Sequence, residues 1–138
     1  NVIPGGAALS LDIRALDDAQ RDRALDELLN EAHRIAARRG LTFHCEQTHA
    51  ADAVACDEGL MQAVDAGIAA TGQAPFRLPS GAGHDAMAVS HLCPVGMLFL
   101  RCERGISHHP LEAVTEDDVA KALAALIASI EAVAARHV

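Results

Sequence analysis

Val95-Gly96-Met97-Leu98-Phe99-Leu100-Arg101 is a near-continuous apolar run that ends on a charge. Such a run reads as a strand buried on both faces, the habit of a parallel sheet. Helices are expected on either side of it. One runs from about Asp57 to Thr71, with Leu60, Met61, Val64 and Ile68 on one side. The other follows Thr115, which with Asp118 resembles a capping box, although Asp is a weaker partner than Glu. It is expected to reach about Arg136, with Val119, Leu123, Leu126, Ile127, Ile130 and Ala134 facing a core. Phe76-Arg77-Leu78 is a short strand candidate, and Ala86 to Ser90 a short helix. The fold class that follows is α/β.

Nearer the start, Val2 to Arg14 reads as a strand. Ala8, Ser10, Asp12 and Arg14 alternate with Leu9, Leu11 and Ile13, and Pro4-Gly5-Gly6 suggests an edge or a bend. A helix is expected from about Asp18 to Arg39, where Leu25, Leu28, Leu29, Ala32, Ile35 and Ala36 recur at three- and four-residue steps. Asp17 and Asp18 offer N-caps, Arg38 and Arg39 suit the other end of the dipole, and Gly40 stops the helix. Leu41 to Gln47 reads as a second strand, which completes a β-α-β unit. The pattern loosens over Ala51 to Ala55, so the expected domains are residues 1–51 and 52–138.

Of 138 residues, 51% are hydrophobic but only 2% are aromatic, with no Trp or Tyr. A core of small aliphatic side chains buries little area per residue, which favours helices packed on a modest sheet. A net charge of −8 lacks the basic stripe of a nucleic-acid surface and the basic patch of an anionic-membrane binder. None of Cys45, Cys56, Cys93 and Cys102 falls at CxxC spacing, which argues against a zinc ribbon or a thioredoxin-like site. No signal-peptide pattern or transmembrane-length run occurs, and a cytoplasmic setting with reduced thiols is the default expectation. The chain opens on Asn1 rather than Met and is expected to be a stretch of a longer one.

Three places have chemical potential. Gly105-Ile106-Ser107-His108-His109-Pro110-Leu111-Glu112 follows the apolar run, and ligands of open α/β sheets gather at the carboxyl ends of strands. An imidazole there suits a metal, with a carboxylate to orient it. The same residues also read as a solvated polar loop. Ser80-Gly81-Ala82-Gly83-His84-Asp85 lets a backbone approach a ligand closely. Alone, however, it reads better as a turn that needs glycine dihedrals. Arg14 can grip a carboxylate with two parallel hydrogen bonds, yet sequence alone favours a surface arginine paired with Asp12 or Asp17. His33, His44, His49, His91 and His137 receive no role, and the cysteines read as small buried hydrophobes.

The stretches NVIPGGAALSLDIRALDD (1–18), LPSGAGHDAMAVSHLCPVGMLFLRC (78–102) and GISHHPLEAVTEDDV (105–119) resemble the allantoate amidohydrolase and N-carbamoyl-L-amino-acid hydrolase group. That group lies within the aminoacylase and carboxypeptidase-G-like metallopeptidase superfamily. THAADAVACDEGL (48–60) looks more like the allantoate branch. The resemblance implies a catalytic α/β domain with two divalent metals, zinc or manganese, and an inserted lid domain that makes a homodimer. Residues 1–51 then match the second half of the lid, and 52–138 the last part of the catalytic domain. His108, four places before Glu112, matches a metal ligand. Asn1 and Arg14 match lid residues that hold the carboxylate of a ureide substrate. Ser80, Gly81, Ala82, Gly83 and His84 match the loop lining its pocket. The group's remaining metal ligands and its glutamate base have no counterpart in these residues, so the isolated chain is expected to be inactive. Hydrolysis of an N-carbamoyl-L-amino acid is the alternative activity, and a non-catalytic association domain the alternative outside enzymes.

Overall fold

A computed structural model describes residues 2–136, which divide into two compact units that meet between Ala53 and Val54. The first is organised by helix α1, Asp18–Arg39. Asp17 starts it by accepting hydrogen bonds from the Ala19 and Gln20 N–H groups, at 2.7 and 3.4 Å. Gly40 ends it at φ 65°, a left-handed conformation that costs glycine nothing. The chain then runs back along the helix. Phe43 packs edge-on against His33 with ring centroids 4.8 Å apart. Further along, the Arg21 guanidinium donates to the Ala51 carbonyl at 2.7 Å and the Ala53 N–H donates to Asp18 at 3.0 Å.

The second unit is built on α2 (Glu58–Ala70) and α4 (Glu116–Ala134), with a one-turn helix α3 (Asp85–Val89) in the connection. Asp57 caps α2 through the Leu60 N–H (2.9 Å), and Thr115 caps α4 through the Asp118 N–H (3.1 Å). The two helices pack antiparallel. Arg136, just past α4, donates to the Gly59 carbonyl at the start of α2, while Gly67 lies against Ala125 and Ser129. The seam is made of small residues: Ala63, fully buried, with Gly67, Ala125 and Ser129. Such residues let two backbones approach closely.

The expected core of α4 is therefore corrected. Val119, Leu123, Leu126, Ile127 and Ile130 remain 44–59% exposed, and Ala134 is exposed as well, because the helix turns its Ala/Ser face to α2. Total accessible surface is 11090 Å². Even two separately compact units of this combined mass would expose only about 8,000 Å².

The four expected strands are also corrected, since none of 2–14, 41–47, 76–78 and 95–101 is a strand among the described residues. A strand exists only as part of a hydrogen-bonded ladder, and these segments are not laddered to one another. Val95–Arg101 instead lies along the second unit's helices. The Val95 carbonyl accepts from Asp57 N–H at 2.8 Å, Gly96 abuts Leu60, and Arg101 reaches Gln73 (2.7 Å) and Asp118 (3.7 Å). Arg77 is tied to α2 by Glu58 (2.8 Å) and Asp65 (2.7 Å), which sets the start of the loop that follows. Its hydrogen bond, helped by one from Gln62, holds the Glu58 carboxyl below its ordinary value. No helix among the described residues is long and apolar enough to cross a membrane.

Candidate functional site

The loop from Pro79 to His84 leaves the Arg77 anchor and delivers His84 to the N-cap of α3. Within it the Ser80 hydroxyl lies 2.6 Å from His84 Nε2, and the Ala82 N–H donates to Ser80 Oγ at 3.2 Å. Phe99, from the apolar run, meets the His84 ring at 5.7 Å and 64°, an edge-on contact. Ser80, Ala82 and His84 are half-buried, whereas Gly81 and Gly83 are exposed. Gly83 adopts no left-handed φ, and a Cβ there would meet open space. Its own backbone therefore does not require glycine, which weakens the simple-turn reading at that position. Phe99 as the neighbour of His84 was not foreseen; nothing in an apolar run marks which member will touch a histidine fifteen residues earlier.

His108 sits in a second loop, closed at its base by the Glu103 N–H donating to the Ala113 carbonyl at 2.7 Å. Its φ is 58°, uncommon for a residue with a Cβ. The His108 N–H donates to Glu112 Oε2 at 2.8 Å, and the Cys102 thiol lies 3.8 Å from Glu112 Oε1. His109 is engaged differently: its Nδ1 accepts from the Leu111 N–H at 3.1 Å and its carbonyl from the Glu112 N–H at 2.9 Å. Both histidines are exposed, and His108 takes no part in the Ser80–His84 hydrogen bonding. None of the four cysteines is the buried hydrophobe expected: Cys45 and Cys93 are exposed and Cys56 and Cys102 half-buried, with the Cys102 thiol 3.8 Å from both the Leu100 carbonyl and Glu112 Oε1.

In the first unit Arg14 forks onto Asp12, with Nε–Oδ1 3.0 Å and Nη2–Oδ2 2.6 Å, the surface pairing that sequence favoured. That hydrogen bond holds the Asp12 carboxyl below the usual carboxylate range. Asn1 lies outside the described residues.

The model of peptidase family M20/M25/M40 matches residues 5–132. The chain belongs to that family. Among its relatives, allantoate deiminase of Arabidopsis thaliana is 43% identical over 95% of this chain and 26% of that protein. Allantoate deiminase 2 of Glycine max is 42% identical over 95% of the chain and 29% of its own length. N-carbamoyl-L-amino acid amidohydrolase of Geobacillus stearothermophilus is 37% identical over 87% of the chain and 29% of its length. The chain thus spans between a quarter and a third of these M20/M25/M40 relatives.

Membership of the M20/M25/M40 family implies divalent metals, but the described residues do not complete a site for one. No three His, Cys, Asp or Glu side chains among them gather as a cation would require. His108 with its nearby Glu112 supplies at most one imidazole, fewer ligands than a catalytic metal needs.

Proposed function

We propose that this chain is part of a metal-dependent amidohydrolase that cleaves the ureido C–N bond of allantoate. The 43% identity to an allantoate deiminase over 95% of the chain carries the reading. The loop geometry supports it: Ser80, Ala82 and His84 form a hydrogen-bonded half-buried floor, and the exposed Gly81 and Gly83 leave room above it. In this reading the loop lines the substrate pocket. His108 is one ligand among several to zinc or manganese, and Arg14 with Asn1 grips the substrate carboxylate. The fork of Arg14 already holds a carboxylate, that of Asp12. Both side chains are more than half exposed, so their pairing is worth little. A cytoplasmic setting, in keeping with four free cysteines, belongs to the same reading.

Residues 1–51 are read as part of a lid and 52–138 as part of a catalytic α/β domain, supported by the two units that meet at Ala53. The apolar segments 2–14, 41–47, 76–78 and 95–101 are the strands of that reading, laddered in the complete protein. The test is the full-length enzyme, loaded with manganese or zinc and offered allantoate and N-carbamoyl-L-amino acids. Release of ammonia from allantoate is expected. Turnover of N-carbamoyl-L-amino acids alone would transfer the reading to the activity named for the Geobacillus relative. The 138-residue chain by itself is expected to hydrolyse neither substrate with either metal, and metal-dependent turnover by it would overturn the division of ligands proposed here.

The lid reading includes a homodimer made through residues 1–51. Leu9 is 95% exposed, and Val2, Ile3, Leu11 and Leu16 are exposed with it, so this segment has apolar side chains that an association could cover. Sedimentation is expected to show self-association of the chain that rises with concentration. Deleting residues 1–16 should abolish it, and a strictly monomeric chain at high concentration would refute it.

A further inference from the structure

The contact between Ser80 and His84 carries information about where the proton of the imidazole sits. A serine hydroxyl has one O–H and two lone pairs. In this loop one lone pair is already used, because the Ala82 N–H donates to it at 3.2 Å. The 2.6 Å between Ser80 Oγ and His84 Nε2 is a close hydrogen bond that either partner could donate, so the direction follows from the other bond at Oγ. If Nε2 carried the proton instead, Oγ would accept twice and its own hydrogen would lack a partner within the loop.

We propose that Ser80 is a positioning residue: its hydroxyl donates to His84 Nε2 and thereby fixes the neutral imidazole as the Nδ1–H form. The rest of the ring's surroundings supports a fixed orientation. The His84 backbone caps α3, with its carbonyl accepting the Met87 N–H at 2.9 Å, and Phe99 packs edge-on against the ring. The chain Ala82 N–H to Ser80 Oγ–H to His84 Nε2 runs in one direction, and each donor has an acceptor. Its consequence is chemical: the ring nitrogen left to meet a ligand is a donor, which matches a carbonyl or carboxylate oxygen and rejects a ligand N–H. That consequence rests on the amidohydrolase reading, whereas the tautomer does not, so the two fail separately.

The test is a long-range proton–nitrogen NMR spectrum of the 138-residue chain at about pH 8.5, where an ordinary imidazole is neutral, with His84→Gln used to assign its signals. The expected result is a protonated Nδ1 and an unprotonated Nε2. The reverse pattern in the unsubstituted chain overturns the proposal outright, whatever any variant does. Ser80→Ala is expected to lower the ratio of Nδ1–H to Nε2–H forms roughly fivefold, the weight of one net hydrogen bond. Ser80→Thr, which keeps the hydroxyl, is expected to restore it. A Ser80→Ala chain whose backbone amide spectrum is unchanged and whose tautomer ratio is also unchanged would refute the role of Ser80. Loss of the ratio without rescue by threonine would likewise assign the effect to packing and overturn it.

Discussion

Gly67→Ala is expected to destabilise the second unit by about 2 kcal/mol, a roughly thirtyfold shift of its unfolding equilibrium. The reason is the seam between α2 and α4. A Cβ built on Gly67 would lie 2.3 Å from Ser129 Oγ and 2.4 Å from the Ala125 carbonyl oxygen, distances that no real Cβ contact shows. Serine can rotate away, but a helix carbonyl cannot, so the helices must separate. Alanine gains up to about 1 kcal/mol over glycine in helix propensity, and the overpacking cost of about 1–3 kcal/mol or more exceeds that gain. Gly67→Val should cost more still, since it adds more bulk and regains less propensity than alanine does. Ser129→Ala in the Gly67→Ala background should recover only part of the loss, because it removes the hydroxyl and leaves the Ala125 carbonyl in place. Urea unfolding followed by helical circular dichroism measures all three. A Gly67→Ala midpoint equal to the unsubstituted chain would show that the crossing is looser than described.

In the full-length enzyme that the amidohydrolase reading requires, His108→Ala is expected to lower both bound metal and turnover by more than about a hundredfold. His109→Ala should stay within about tenfold. Loss of an outer partner of a metal ligand alone costs about 10–100-fold, and loss of the ligand costs more. Two features separate the neighbours. The backbone of His108 is held at φ 58° with its N–H on Glu112, while the ring of His109 is occupied by the Leu111 N–H. A left-handed conformation at a non-glycine residue costs about 1–3 kcal/mol, and such residues cluster at functional sites. His108→Gly therefore makes a second, independent check. It should leave the isolated chain as stable or more stable while still removing metal from the full-length enzyme. The opposite order, with His109→Ala abolishing metal and His108→Ala retaining it, would exchange the two assignments.

What could be read without coordinates follows the range over which each interaction acts. The bounds of α1, Asp18–Arg39, match the approximate expectation because both ends are decided within a few residues: Asp17 accepts from the N–H groups just after it, and Gly40 takes a left-handed conformation that stops the helix. Asp57 and Thr115 act in the same way for α2 and α4. Ser80 and His84 are four apart in a loop, and only on a helix would that spacing have implied neighbours. Their contact, and the arrival of Phe99 beside them, came from the path of the chain. A surface pairing of Arg14 with Asp12 or Asp17 was legible, both being within three residues, and the structure selects Asp12.

By itself, then, the sequence determined the helices, their caps and membership of a metallohydrolase group, because these depend on neighbours in the chain and on motifs carried residue by residue. Tertiary structure alone decided which faces are buried. The Leu/Ile stripe of α4 looked like a core by periodicity, yet the helix buries Ala125 and Ser129, since only small side chains allow the backbone of α2 at Gly67 to come so close. The apolar run Val95–Arg101 carries the composition of a buried strand, but a strand is a property of two segments. Among the described residues it packs instead on helices.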